Sequence, residues 1–265
     1  MTALEICVES VESAIAAELG GAQRVELCSA LTEGGLTPSL GLMRAVRSKI
    51  KIGVHVMIRP RAGDFLYSDD DFTVMRDDIA QAAQCGMDGV ALGLLDANGD
   101  VDVPRTRELV ELASPMEVTF HRAIDMARDI ERALEDAIEA GADRILTSGA
   151  EPSAMMGRHR LRELVHASDG RIAVMACGGI RADNVRQIAQ ATHVVEYHAA
   201  LRRTAPSPVK HQRRKIHLGN LGVDEYAHCV VRAADVRTLR KALDSAFAPD
   251  AETPLESGAG REKAR

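Results

Sequence analysis

Gly21-Ala22-Gln23-Arg24-Val25, Gly86-Met87-Asp88-Gly89-Val90 and Gly141-Ala142-Asp143-Arg144-Ile145 are three versions of one junction, each following an Ala-rich amphipathic stretch. Glycine closes a helix in the left-handed cap without a Cβ penalty, and the short apolar run after it starts a buried strand. The junctions lie 65 and 55 residues apart, about the length of two βα units, so they fall on alternate strands of a longer series. Filling the intervals gives eight candidate strands, at 3–8, 24–28, 52–58, 88–92, 117–121, 143–147, 172–177 and 194–198. Eight regular alternations predict an α/β fold, a single closed (β/α)8 barrel of the TIM type, in preference to an open doubly wound sheet.

The 265 residues are 46% apolar and 27% charged, ample for a large core and remote from the compositions that stay disordered. One barrel domain over 1–248 accounts for most of the chain, and the mixture of charge with Gly, Pro and Ser over 249–265 reads as a disordered tail. A net charge of −6 excludes a generally basic, phosphate-seeking surface, and no nucleic-acid partner is expected. The six Lys or Arg between Arg202 and Lys215, interrupted by Pro206 and Pro208, read as a solvated basic loop at 202–215. No apolar run approaches the roughly 20 residues of a membrane span, and Met1-Thr2-Ala3-Leu4-Glu5 does not open a signal peptide, so a cytoplasmic location is expected. Five cysteines without CxxC spacing (Cys7, Cys28, Cys85, Cys177, Cys229) read as reduced thiols, with Cys85 and Cys229 structural.

Parallel strands are normally apolar on both faces, so polar residues inside them carry information. In the first two strands Leu4, Ile6, Val8 and Val25, Leu27 alternate with Glu5, Cys7 and Glu26, Cys28. The third sets Val54, Val56, Ile58 against His55, Met57, Arg59, and the fifth sets Val118, Phe120 against Thr119, His121. Period-two geometry turns each polar set to one face. With the apolar set under the helices, Glu5, Glu26, His55, Arg59 and His121 converge in the lumen toward its C-terminal mouth. Together with Arg122, Asp125 and His198 they form either a functional cluster, as lumen charges at strand ends usually do in this fold, or a structural ion-pair network. His121 and Arg59 are expected to line a wet cleft, so His121→Gln and Arg59→Met should each cost less than about 1.5 kcal/mol, with loss of ligand binding. Buried ion-pair members would cost about 3–5 kcal/mol.

Thr147-Ser148-Gly149 and Cys177-Gly178-Gly179-Ile180 follow the sixth and seventh strands. Ser148, Gly149, Gly178 and Gly179 either offer donors to an anion or only permit tight turns. Cys7 and Cys28 occupy equivalent places near the ends of neighbouring strands, about 4.8 Å apart, where two thiolates suit Cu(I). Met57 and Cys177 would add sulfur if they share that face. Burial of both cysteines as small apolar fillers is the alternative.

The chain resembles the CutC family of copper homeostasis proteins. The resemblance rests on Leu4-Glu5-Ile6-Cys7-Val8, Arg24-Val25-Glu26-Leu27-Cys28-Ser29, Glu33-Gly34-Gly35-Leu36-Thr37-Pro38-Ser39 and Met57-Ile58-Arg59-Pro60-Arg61. It continues through Asp64-Phe65-Leu66-Tyr67-Ser68, Thr119-Phe120-His121-Arg122-Ala123, Leu146-Thr147-Ser148-Gly149 and Gly178-Gly179-Ile180, spanning residues 3 to about 246. It implies a cytoplasmic barrel of eight βα units that self-associates, a link to copper tolerance, and Cu(I) binding with Cys7 and Cys28 at the positions of ligands proposed in the family. The basic segment and the longer tail depart from the family's pattern.

Two functional readings follow. One is copper homeostasis through Cu(I) binding at Cys7 and Cys28. The other is an enzyme acting by acid–base chemistry on a small polar, sugar-like or phosphorylated metabolite, with no organic cofactor. There Glu5, Glu26 and His121 would move protons, Arg59 and Arg122 would orient the substrate, Asp125 would join the charged cluster, and Ser148, Gly149, Gly178, Gly179 and His198 would bind the ligand.

Overall fold

The computed structural model describes residues 2–216, 218 and 224–247. Eight parallel strands close in chain order: β1 (Ala3–Val8), β2 (Arg24–Leu27), β3 (Gly53–Met57), β4 (Gly89–Leu92), β5 (Glu117–Phe120), β6 (Arg144–Thr147), β7 (Ala173–Ala176) and β8 (Glu196–Ala199). Closure is explicit in the register, because β1 pairs with β2 through Cys7 and Glu26 and with β8 through Glu5 and His198. Every expected strand is present with ends moved by at most two residues, and the fold is the (β/α)8 barrel.

Seven helices follow the first seven strands: α1 (Val11–Leu19), α2 (Leu40–Arg47), α3 (Asp69–Gln84), α4 (Val103–Ala113), α5 (Ile130–Ala140), α6 (Arg158–Ser168) and α7 (Val185–Thr192). Their ends are written locally. Ser68 and Asp71 exchange side-chain and backbone bonds as a capping box at α3, and Gly141 ends α5 in the left-handed region at φ 89°. The last helix, α8 (Ala233–Ala246), packs on α1 and α7 and closes the outer ring.

Leu4, Ile6, Val25, Leu27, Val54, Val56, Val90, Leu92 and Phe120 are fully buried against the helices in one continuous core. Each such side chain contributes about 1.5–3 kcal/mol of transfer free energy. The opposite parity fills the lumen. At its N-terminal floor, Arg24 bonds Glu5 at 2.5 Å and Glu196 at 3.0 Å, while Arg144 bonds Glu196 at 2.5 Å and Glu117 at 3.2 Å. His55 lies 3.6 Å from Glu117. Floor charges are therefore mutually paired, which is what burial demands of them.

The expected basic loop at 202–215 is corrected in part. Arg203–Pro206 is a strand, β9, paired antiparallel with β10 (Ala227–Val230). Pro206 stands at the strand's end, where a missing N–H does not break a central ladder. The segment from Pro208 to Lys215 is exposed irregular chain with a turn at Arg214-Lys215. The tail expected at 249–265 lies outside the described residues. Among the described residues no helix is long and apolar enough to cross a membrane.

Gly89 is a lumen position of β4 where a Cβ would come within 2.5 Å of the His55 imidazole. Gly89→Ala should cost about 1–3 kcal/mol through overpacking. Combining it with His55→Ala should recover part of that loss, which a double-mutant cycle in urea measures.

Candidate functional site

At the C-terminal mouth, β1, β2 and β8 bring four side chains together. The Cys7 and Cys28 sulfurs lie 3.7 Å apart, and Glu26 Oε2 lies 3.3 Å from the first and 3.4 Å from the second. His198 Nδ1 contacts Glu5 Oε1 at 2.6 Å, and its Nε2 lies 3.9 Å from Glu26 Oε2. Cys7, Glu26 and His198 can each present a donor atom within 4.8 Å of the others, a spacing that one metal ion can span. Met57 packs on both cysteines with Leu31 at the edge, so this corner contains three sulfurs. Cys177 does not join them; it is buried in a separate group with Leu146 and Met175.

Electrostatics differentiate the four groups. The hydrogen bond from Cys28 and then the His198 charge hold the Cys7 thiol down to about 6, against the opposite pull of burial. Its contact with Cys7, and burial, push Cys28 well up. Burial, followed by the charge on Cys7, raises Glu26 well above the usual carboxylate range. Burial alone would lower His198, but Glu26, Cys7 and Glu5 outweigh it and hold the imidazole protonated. Burial would likewise raise Glu5, yet Arg24 and His198 keep its carboxyl well below the usual range.

The sulfur corner opens on a cavity of about 190 Å³. Its farther wall carries Phe65, His121 and Arg122, with Arg202 at the β8 side. His121 Nδ1 accepts the Ala123 backbone N–H at 3.2 Å, so Nε2 carries the ring proton. Burial, aided by the charges on Arg59 and Arg122, pushes His121 down to about 3, and it is a neutral donor near pH 7. A Cβ at Gly93 would stand 2.5 Å from Nδ1, so the Nδ1 edge is sealed, while Nε2, buried on a ring that lines the cavity, has no hydrogen-bond partner among the described residues.

Residues 2–203 match the CutC family model. This chain belongs to the CutC family. It is 50% identical over 243 residues to a CutC family protein of Chromobacterium violaceum, covering 92% of this chain and 98% of that one. It is 44% identical over 237 residues to the human copper homeostasis protein cutC homolog, covering 89% of this chain and 87% of the human one. The crystal structure of the Streptococcus agalactiae CutC protein superposes with a TM-score of 0.71 at 31% identity, covering 75% of this chain and 98% of that chain.

Several expected site residues of this CutC chain are already fully bonded. Asp125 accepts from Thr147 Oγ1 at 2.6 Å, from the backbone N–H of Ser148 and Ala150, and from Arg122 Nε at 2.8 Å. Ser148 Oγ lies 2.5 Å from the Glu151 carbonyl and accepts from Arg122. These bonds tie the turn at 122–126 to the loop after β6. Gly149 and Gly178, at φ 76° and 88°, allow those loops to pack tightly, and none of Ser148, Gly149, Gly178 and Gly179 lines the cavity beside the cysteines.

The wet-cleft expectation for Arg59 and His121 is corrected too, because both line the cavity yet are only 6% and 3% exposed. Arg59 donates to the carbonyls of Glu33, Gly35 and Gly63 and lies over the Phe65 ring, clamping two loops. Not singled out as lumen residues in the sequence reading are Arg24, Glu117, Arg144 and Glu196 in the floor, and Gly89 and Gly93, which make room for the imidazoles. Each shares the lumen parity of its strand, the signal by which it could have been found.

Arg59→Met should cost more than about 2 kcal/mol, since three carbonyls lose their donor; urea denaturation measures this. Acid should also weaken the fold. His55, lowered to about 4 mainly by burial, and His121, at about 3, take up protons on unfolding once the pH is below their ordinary value of 6.5. Stability then declines from that pH toward the folded values, with a slope approaching about 1.4 kcal/mol per pH unit for each ring. His198 acts in the opposite sense, since its contribution is complete below 6.5 and is lost only as the pH rises through its raised value. His55→Gln and His121→Gln should each flatten the acid limb of stability against pH; an unchanged slope would contradict their assignment as neutral rings.

Proposed function

We propose that this protein acts in copper homeostasis by binding Cu(I) through Cys7 and Cys28, with Met57 as a third sulfur and His198 and Glu26 as their polar neighbours. The observation that carries this reading is the pair of cysteine sulfurs 3.7 Å apart at the mouth of the barrel, with Cys7 lining the cavity. Thiolate and thioether donors select a soft monovalent ion over the hard cations Mg²⁺ and Ca²⁺. Copper is the cargo here, and the donor set in this corner suits it. Membership of a family whose human relative is called a copper homeostasis protein supports the same conclusion. A cytoplasmic location and self-association belong to this proposal as family traits.

A second reading, acid–base turnover of a small polar metabolite, is favoured by two buried atoms without a partner, Glu26 Oε1 and His121 Nε2. Asp125 and Ser148 serve it poorly, being saturated by neighbouring groups, and the terminal nitrogens of Arg59 are committed to backbone carbonyls. Thermal-shift screening with metabolites separates the two readings, because a specific ligand stabilises the native state by mass action.

Competition with a Cu(I) chelator should reveal tight binding that Cys7→Ser/Cys28→Ser abolishes, and that weakens as acid protonates the ligands. Met57→Leu, which preserves volume, should lose about tenfold in affinity, or about 1.4 kcal/mol. Copper binding by the double serine variant at wild-type strength would reject the assigned site.

A further inference from the structure

The cavity contains more than the thiol corner needs. Its walls also include an imidazole N–H donor, His121, and three guanidinium groups, Arg59, Arg122 and Arg202. His121 is 3% exposed, its Nε2 has no partner among the described residues, and its other edge is sealed by Ala123 and Gly93. An unmade hydrogen bond at so buried a donor is costly, and such a site prefers a ligand bearing an acceptor over the analogue lacking it. Arg122 and Arg202 supply positive charge on the same lining, each partly balanced by a carboxylate, Asp125 and Glu9 respectively. That balance suits a monoanion better than a doubly charged phosphate. Glu26 Oε1, buried and unpartnered, offers a further polar atom beside the cysteines. Leu31, Phe65 and Leu146 leave an apolar surface for a short carbon chain. The volume of about 190 Å³ corresponds to roughly six water molecules at liquid density.

We infer that this cavity binds a short 2-oxo or 2-hydroxy carboxylate, its carboxylate against Arg122 and its 2-oxygen accepting from His121 Nε2–H, with Arg202 adding positive charge from the β8 side. The inference rests on the second functional reading only in sharing its cavity; binding is what it asserts, so absence of turnover leaves it standing, and it does not depend on copper.

Calorimetric titration of the full-length, metal-free protein with pyruvate, L-lactate and propionate tests it. Propionate has the same three carbons and carboxylate but no 2-oxygen. Pyruvate or lactate should bind at least about tenfold more tightly than propionate. His121→Phe should bring all three acids to the same weak affinity, whereas His121→Gln, which keeps an N–H, should retain the preference even if the Phe variant fails to fold. Equal affinity for propionate, no saturable binding of pyruvate or lactate, or an undiminished preference in a folded His121→Phe protein would overturn the proposal. Failure of the Cu(I) titration would reject the thiol assignment and leave this result unaffected.

Discussion

Inside the lumen, one oxygen of Glu5 meets the Arg24 guanidinium at 2.5 Å while the other meets the His198 imidazole at 2.6 Å. A carboxylate this deeply buried would be costly alone, and these two cations make its charge tenable. Arg24 reaches on to Glu196, and Arg144 binds Glu196 and Glu117, so the floor is a continuous ionic chain. At its upper end Glu5 joins Glu26 and Cys7 in holding His198 charged. Properties of the sulfur corner thus depend on residues at the opposite end of the barrel, transmitted through one side chain.

The two imidazoles on the cavity wall occupy opposite charge states for identifiable reasons. His198 is surrounded by Glu5, Glu26 and Cys7, while His121 sits near Arg59 and Arg122 with its Nδ1 edge against backbone. Burial disfavours the cation in both, and only the neighbours differ. One cavity therefore has a soft, sulfur-bearing side at β1–β3 and a harder, nitrogen-bearing side at β5–β6.

Much of this was legible from alternation alone. Period two in β1, β2, β3 and β5 set Glu5, Glu26, His55 and the two cysteines into the lumen, and the repeated glycine junction set the strand count. The floor was not read, because Arg24, Glu117, Arg144 and Glu196 open their strands and look like ordinary solvated ends until the barrel closes over them. Asp125, Ser148 and Arg59 were recognised as residue types suited to chemistry, but Arg59 bonds backbone carbonyls, and Asp125 and Ser148 bond each other, Arg122 and nearby loop groups, partners that no strand pattern records. Gly89 and Gly93 illustrate the remaining difficulty: their role is the space they leave for residues 34 positions earlier and 28 later.

The seam between β1 and β8 joins the first strand of the chain to the last strand of the barrel, and the Glu5–His198 contact bridges 193 residues. Chains emerge from the ribosome N-terminus first. Both cysteines are therefore made early, among ordinary neighbours, and gain their imidazolium only when synthesis has passed residue 198 and the ring has shut. A partly made or truncated chain carries the same thiols without that environment. The distinctive chemistry of the mouth is in this sense a mark of chain completion.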